Sequence, residues 1–274
     1  LMTASIFKET AMLVDSHCHL DFTDFDADRD AVLARAKAAG VELMVTISTK
    51  VSEADKIIAL AEAHAELVCS VGIHPHEAGS EAPVTGAQLV ALAAHEKVVG
   101  IGETGLDYFY EHSPREAQQK NFRAHIEAAR ISKLPLIVHA RDADEDTADI
   151  LEDEMQQGAY PGLIHCFTAG PELARRALDI GFYISISGIA TFNSAKTLRQ
   201  TIESIPLERL LVETDAPFLA PVPHRGKRNE PSFVADTARM LADIKGVTAE
   251  ELARITSENF YSLFTKAPRP GAVS

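Results

Sequence analysis

Short unbroken apolar runs alternate along this chain with longer stretches whose apolar positions recur at helical spacing. After an opening strand that ends in Leu13 and Val14, the apolar runs are Val41 to Thr49, Glu66 to Pro75, Lys97 to Asp107, Leu134 to Arg141, Gly162 to Thr168, Phe182 to Ala190 and Leu207 to Asp215. Between them, Asp28 to Ala39 places Val32, Leu33 and Ala36 on one helical face and meets Gly40. The pattern predicts further helices over Ser52 to Ala65, Thr85 to Glu96, Ser113 to Lys133, Ala143 to Gln157, Pro171 to Ile180, Ser194 to Ser204, Ser232 to Lys245 and Thr248 to Phe264. Thr85 and Gln88 have the spacing of a capping box, and Ser113 before Pro114 reads as a helix start with proline in its first turn.

Strands that are continuously apolar are buried on both faces, as in parallel sheets covered by helices. Eight strand-helix units in succession predict an α/β TIM barrel, (β/α)8, in a single domain over 13–266. Residues 1–12 read as an N-terminal extension or a remnant of expression cloning, and 267–274 as a tail. The Pro- and Gly-bearing stretch Ala216 to Pro231 becomes the loop after strand eight, over the active face.

Composition narrows the picture. The 46% hydrophobic content of the 274 residues suffices for one large core. Cys18, Cys69 and Cys166 lie in apolar runs at irregular spacing and are expected as reduced thiols in a cytoplasmic protein. Cys18 and Cys166 each adjoin a histidine, but on a strand a neighbour faces the other way, so both are expected to serve packing. No apolar run reaches the roughly 20 residues that span a bilayer. A net charge of −14 argues against coating nucleic acid through arrays of basic residues, although a nuclease with a few local cationic groups stays open.

The chemistry is concentrated where strands end. Polar groups closing apolar strands are costly unless used, and in this fold the strand C-termini form the active face. His17 and His19 leave strand one on the same side, His74 follows strand three, Glu103 strand four, His139 strand five, His165 strand six and Asp215 strand eight. That inventory exceeds one mononuclear site, so two divalent metal ions are expected. His17, His19 and Asp215 would hold one and His139 and His165 the other, with Glu103 bridging through its two oxygens. Asp215 is the expected general base, with His74 next in line. His74, Arg141 and the 225–229 loop with Arg225 and Asn229 are candidates for holding a phosphate or stabilising added negative charge. For Arg141 a salt bridge to the acidic run Asp142 to Asp146 is the competing reading.

The stretches Asp15-Ser16-His17-Cys18-His19-Leu20-Asp21, Gly72-Ile73-His74-Pro75-His76, Gly100-Ile101-Gly102-Glu103-Thr104-Gly105-Leu106-Asp107-Tyr108, Val138-His139-Ala140-Arg141, His165-Cys166-Phe167-Thr168-Ala169-Gly170 and Glu213-Thr214-Asp215-Ala216-Pro217-Phe218-Leu219 are followed by Arg225-Gly226-Lys227-Arg228-Asn229-Glu230-Pro231. Together they resemble the TatD family of metal-dependent deoxyribonucleases, of the amidohydrolase-like superfamily of TIM barrels. The resemblance runs from Leu13 to about Phe264. It implies hydrolysis of DNA phosphodiester bonds, typically 3′ to 5′ on single strands or 3′ ends, with Mg2+ or Mn2+ in use and Zn2+ able to occupy the same ligands. No membrane association is expected, and no obligatory protein partner is evident in the sequence.

Ligand spacing alone does not separate acyl from phosphoryl centres. The alternative is hydrolysis of another ester, lactone or amide on the same metals. A carboxylated lysine at the end of strand four would favour those relatives, and that position is Glu103.

Overall fold

The computed structural model describes residues 12–269. The strands are β1 (Leu13–Cys18), β2 (Val41–Thr46), β3 (Leu67–Val71), β4 (Val98–Asp107), β5 (Leu136–Arg141), β6 (Gly162–Ile164), β7 (Tyr183–Ile186) and β8 (Leu210–Val212). They form one eight-stranded parallel sheet in sequence order. The sheet curls until β8 reaches β1: Cys18 bridges Ala216, the Asp215 N–H donates to the His17 carbonyl at 2.9 Å, and the His19 N–H donates to the Ala216 carbonyl at 2.8 Å. The TIM barrel expected from the alternation is therefore the fold.

The helices are α1 (Arg29–Ala38), α2 (Ala54–Ala63), α3 (Gly86–Ala93), α4 (Arg115–Ser132), α5 (Asp144–Gln156), α6 (Pro171–Asp179), α7 (Lys196–Ser204), α8 (Val234–Lys245) and α9 (Ala249–Leu263). The capping box of α3 is present, since Thr85 Oγ1 accepts from the Gln88 N–H and the Gln88 side chain accepts from the Thr85 N–H. Ser113 does not cap α4. Its hydroxyl donates to the His76 carbonyl at 2.7 Å and accepts from the Gly79 N–H at 2.9 Å, tying the loop after β3 to the start of α4.

Two apolar layers result. One lies between strands and helices, with Met44, Leu67, Ile101, Val138, Ile164 and Val212 facing residues such as Phe122, Ile126 and Leu241. The other fills the barrel: Val14, Val45, Val68, Val99, Ile137, Leu163 and Leu211 point inward and meet Phe260 and Phe264 of the α9 segment. Asn259 donates to the Leu207 and Leu210 carbonyls, and Ser257 to the Met12 carbonyl, which seats α9 over the end where strands begin.

Several strands stop sooner than their apolar runs. β6 ends at Ile164 rather than Thr168, and β8 at Val212 rather than Asp215. Cys166 (φ +42°) and Asp215 (φ +56°) adopt the left-handed conformation, which interrupts the extended backbone shortly beyond each strand and re-aims the chain, while Phe167 and Ala216 just after them still make a backbone hydrogen bond to Ser185 and His19. Ala267 is buried with Phe264, so packing passes the expected Lys266 boundary. The expected extension, apart from Met12, and the end of the tail lie outside the described residues.

Candidate metal centre

The loops at the strand C-termini bring His17, His19, His74, Glu103, His139, His165 and Asp215 to one place. Glu103 is at the middle, 2% exposed. Its Oε1 lies 2.6 Å from His165 Nε2, 3.0 Å from His139 Nδ1 and 3.4 Å from His74 Nε2. Its Oε2 lies 3.4 Å from His17 Nε2 and 3.9 Å from His19 Nε2. Asp215 Oδ1 sits 3.4 Å from His19 Nε2 and 3.7 Å from His17 Nε2. The carboxylate thus parts the donors into two groups. His17 also stacks on His165, with ring centroids 3.9 Å apart, so the groups adjoin.

This approach depends on glycine at one position in particular. At Gly105 (φ +134°) a Cβ would come within 2.1 Å of the His139 carbonyl oxygen, so only glycine lets β4 lie against β5 there.

Neighbouring polar groups fix the rings. His19 Nδ1 is 3.2 Å from the Ile47 carbonyl, which can only accept, so the proton of the neutral ring is on Nδ1 and Nε2 presents a bare lone pair. His165 Nδ1 faces Glu213 Oε1 at 3.3 Å, and His139 Nε2 faces Asp107 Oδ2 at 3.1 Å. The His76 N–H donates to His74 Nδ1 at 3.0 Å, which leaves a neutral His74 with its proton on Nε2.

The electrostatics follow from this crowding. Burial alone would raise the Glu103 carboxyl, but the His165, His74 and His139 imidazoles hold it well below the usual carboxylate range. Asp215 is likewise lowered, burial being outweighed by His19, His17 and His165. Burial pushes His74 down to about 4 and, with His165 beside it, lowers His17. His165 stays well above its ordinary value despite burial, because Glu103 and Glu213 flank it. Behind the cluster, burial lifts Asp15 to about 8 even though Thr214 donates to it through both N–H and hydroxyl.

The donor set fits divalent cations. Ring nitrogens and carboxylate oxygens converge within 4.8 Å of one another in three overlapping groups: His17, His19 and Asp215; His17, Glu103 and His165; and His74, Glu103 and His139, the last with the His74 proton on Nε2. His17 and His19 aim Nε2 atoms at each other across 3.3 Å, and buried His17 Nδ1 and Glu213 Oε2 have no hydrogen-bond partner among the described residues. Lone pairs facing lone pairs repel unless a cation or proton sits among them.

The cluster forms the floor of a cavity of about 730 Å³ lined also by Phe22, Thr49, Tyr110, Arg141 and Phe218. Arg141 is at the wall, and no carboxylate of the Asp142 to Asp146 run pairs with it among the described residues; its guanidinium lies over Phe109 (4.2 Å) and Tyr110 (4.7 Å). Two other expected phosphate contacts do not reach the cavity. Asn229 is fully buried and its side chain is consumed locally, donating to the Thr214 and Phe218 carbonyls and accepting from the Glu230 N–H. Arg225 lies over the Phe192 ring at 3.5 Å.

Cys166 does not face away as a strand neighbour would. It follows the end of β6 and is among the residues that line the cavity, and its thiol touches the buried Ser187 Oγ at 3.2 Å, outside the three donor groups. Cys18 does pack, its thiol meeting the Val45 carbonyl at 3.4 Å. Asp107 and Glu213, the carboxylates behind His139 and His165, escape the sequence reasoning. The available signal is their position: each is a buried acid at the end of an apolar strand.

Comparison with known proteins bears on the whole chain. Residues 14–265 match the family model described as TatD related DNase. The chain is 46% identical over 255 residues to the Escherichia coli K12 protein named uncharacterized metal-dependent hydrolase YcfH, covering 92% of this chain and 95% of that one. It is 33% identical over 258 residues to the Salmonella typhimurium protein named 3′-5′ ssDNA/RNA exonuclease TatD, covering 92% and 98%. Among solved structures, YjjV, a TatD homolog from E. coli K12, superposes with a TM-score of 0.87 at 31% identity, covering 94% of this chain and 100% of that one.

Proposed function

The chain belongs to the TatD related DNase family of metal-dependent hydrolases, and on that premise we propose that it hydrolyses phosphodiester bonds of single-stranded DNA from the 3′ end. The observation that carries the reading is the division of donors by Glu103, Oε2 facing His17 and His19 and Oε1 facing His139 and His165. Two divalent ions, Mg2+ or Mn2+, would be held by His17, His19 and Asp215 on one side and His139 and His165 on the other, with Glu103 between. When bound, such ions supply Lewis acidity to a phosphoryl oxygen and lower the pKa of an attacking water.

The protein's own groups do the rest. Asp215 stays ionised and lines the cavity, so it can take the water's proton as general base during in-line attack on phosphorus. His74, neutral with its proton on Nε2, can donate a hydrogen bond to a phosphate oxygen. Arg141 is the single Lys or Arg among the described lining residues and offsets the charge of the substrate. The name of the Salmonella relative supports the 3′-5′ direction and the single-stranded substrate.

The test is turnover of 3′-labelled single-stranded DNA by Mn2+- and Mg2+-loaded protein, alongside panels of lactones, carboxylic esters and amides. Stepwise release of 3′ nucleotides is expected. Efficient hydrolysis of a lactone or ester with no DNA cleavage would replace this reading.

A further inference from the structure

The mouth of the cavity has two aromatic walls, and they differ in what occupies their faces. On the β5 side Tyr110 stacks on His112, with centroids 5.4 Å apart and planes 5° from parallel, and Tyr110 and Phe109 both carry Arg141. On the β8 side Phe218, 52% exposed, packs at a steep angle against His19 and Phe22, with centroids 6.2 Å apart and planes 67° and 77° away from parallel. Among the described residues no ring or cation is stacked on its face.

The backbone that carries this ring is also anchored. The Phe218 N–H donates to the Asp215 carbonyl at 2.9 Å, and its carbonyl accepts from Asn229 Nδ2 at 2.6 Å. The Asn229 N–H returns to the Pro217 carbonyl at 3.0 Å, and Ala216 is paired to β1. A loop pinned at successive residues therefore presents a half-exposed aromatic ring to the cavity three positions after Asp215.

We propose that Phe218 is a stacking platform for a nucleobase of single-stranded nucleic acid, next to the phosphate over the metal centre, while Arg141 on the opposite wall takes a phosphate. The proposal rests on the nuclease reading and deepens it. Every base has a π-face, so one fixed ring accepts any sequence, and such stacking commonly contributes ~1–3 kcal/mol per base. A base inside a duplex already has both faces stacked, so the platform selects single strands and frayed ends. With a net charge of −14 and one basic side chain on the lining, stacking supplies the grip that arrays of lysine and arginine give elsewhere.

The experiment uses single-stranded oligodeoxynucleotides with 2-aminopurine in the two 3′ nucleotides and the metal-loaded full chain. Wild type and Phe218→Trp should quench the fluorophore on binding. Phe218→Leu, apolar and of similar size but without a π-face, should abolish the quench and raise KM by about tenfold or more with kcat within about threefold. Replacing the stacked base by an abasic residue should raise the wild-type KM to the same extent and add nothing to Phe218→Leu. Quenching and KM unchanged in Phe218→Leu, with DNA still cleaved, would overturn the platform and leave the nuclease reading standing. Wild-type protein that neither bound nor cleaved single-stranded DNA would overturn both.

Discussion

The two ends of the barrel are closed by opposite chemistry. Where the strands begin, Phe260 and Phe264 stack on each other at 4.5 Å and seal the inward-facing Val14, Val99 and Leu211. Where the strands end, the plug is made of imidazoles and carboxylates, including buried His17, His19, Glu103 and His165. Burying an aromatic ring removes apolar surface from water and stabilises the fold outright. Burying a lone pair or a charge costs free energy unless a partner meets it, and here the partners are one another. The first end holds the barrel together; the second draws on that stability to keep reactive groups close.

Substitutions at the two ends should therefore fail in different ways. The largest effect is expected at the apolar end. Phe264→Ala should destabilise by about 3–5 kcal/mol, the usual cost of deleting a buried ring, measured by denaturant unfolding. The folded fraction should keep its specific activity, since no donor is touched. Undiminished stability would mean that α9 does not seal the barrel.

At the polar end Asp215→Asn should cost about 10²-fold in kcat, or about 2.7 kcal/mol of barrier, with little change in unfolding free energy. Asparagine keeps the shape and one oxygen but loses the charge and the basicity. Excess metal should not restore it, whereas His165→Ala should be partly rescued by added Mn2+. An Asp215→Asn variant at near wild-type rate with metal bound would reduce Asp215 to a ligand, and the base would have to be sought elsewhere than the expected His74, whose Nδ1 lone pair is taken by the His76 N–H.

A smaller effect lies between the two ends. His125 on α4 accepts from the Ile73 N–H through Nε2 at 3.0 Å and donates from Nδ1 to the Asn121 carbonyl at 2.8 Å, and burial pushes it down to about 4. The unfolded chain protonates this histidine near its ordinary 6.5, so between there and about 4 the unfolded state binds more protons. Its contribution to stability is fully present above pH 6.5 and is lost as the pH falls through that window. His125→Gln should cost ~1–3 kcal/mol at pH 7.5 and lessen the acid-side loss of stability relative to wild type. Parallel stability profiles for the two proteins from pH 7.5 to about 4 would show that His125 does not set this dependence.

The apolar end is the more legible from sequence. Continuous runs such as Leu136 to Val138 and the helical spacing between them point to the barrel and its order, because burial on both faces leaves a strong mark on composition. The donors are legible too, since a histidine or carboxylate closing such a run stands out. Where the strands stop is not, because at Cys166 and Asp215 the extended backbone gives way to a left-handed conformation that apolarity does not report. Asn229 shows the other gap. As a polar residue in a loop over the active face it reads as a phosphate contact, yet its amide closes three backbone hydrogen bonds inside that loop. Whether a polar side chain serves a ligand or its own backbone depends on contacts between segments distant in sequence, as does the pairing of His139 with Asp107 and His165 with Glu213.

Everything proposed for the polar end depends on Glu103 dividing one cluster into two adjoining metal sites. Anomalous diffraction from crystals soaked in Mn2+ tests this most directly. Two peaks are expected, one among His17, His19, Asp215 and Glu103 Oε2, the other among His139, His165 and Glu103 Oε1. A single peak that left Glu103 bound through one oxygen at saturating Mn2+, or peaks away from His17, His139 and Asp215, would contradict the division.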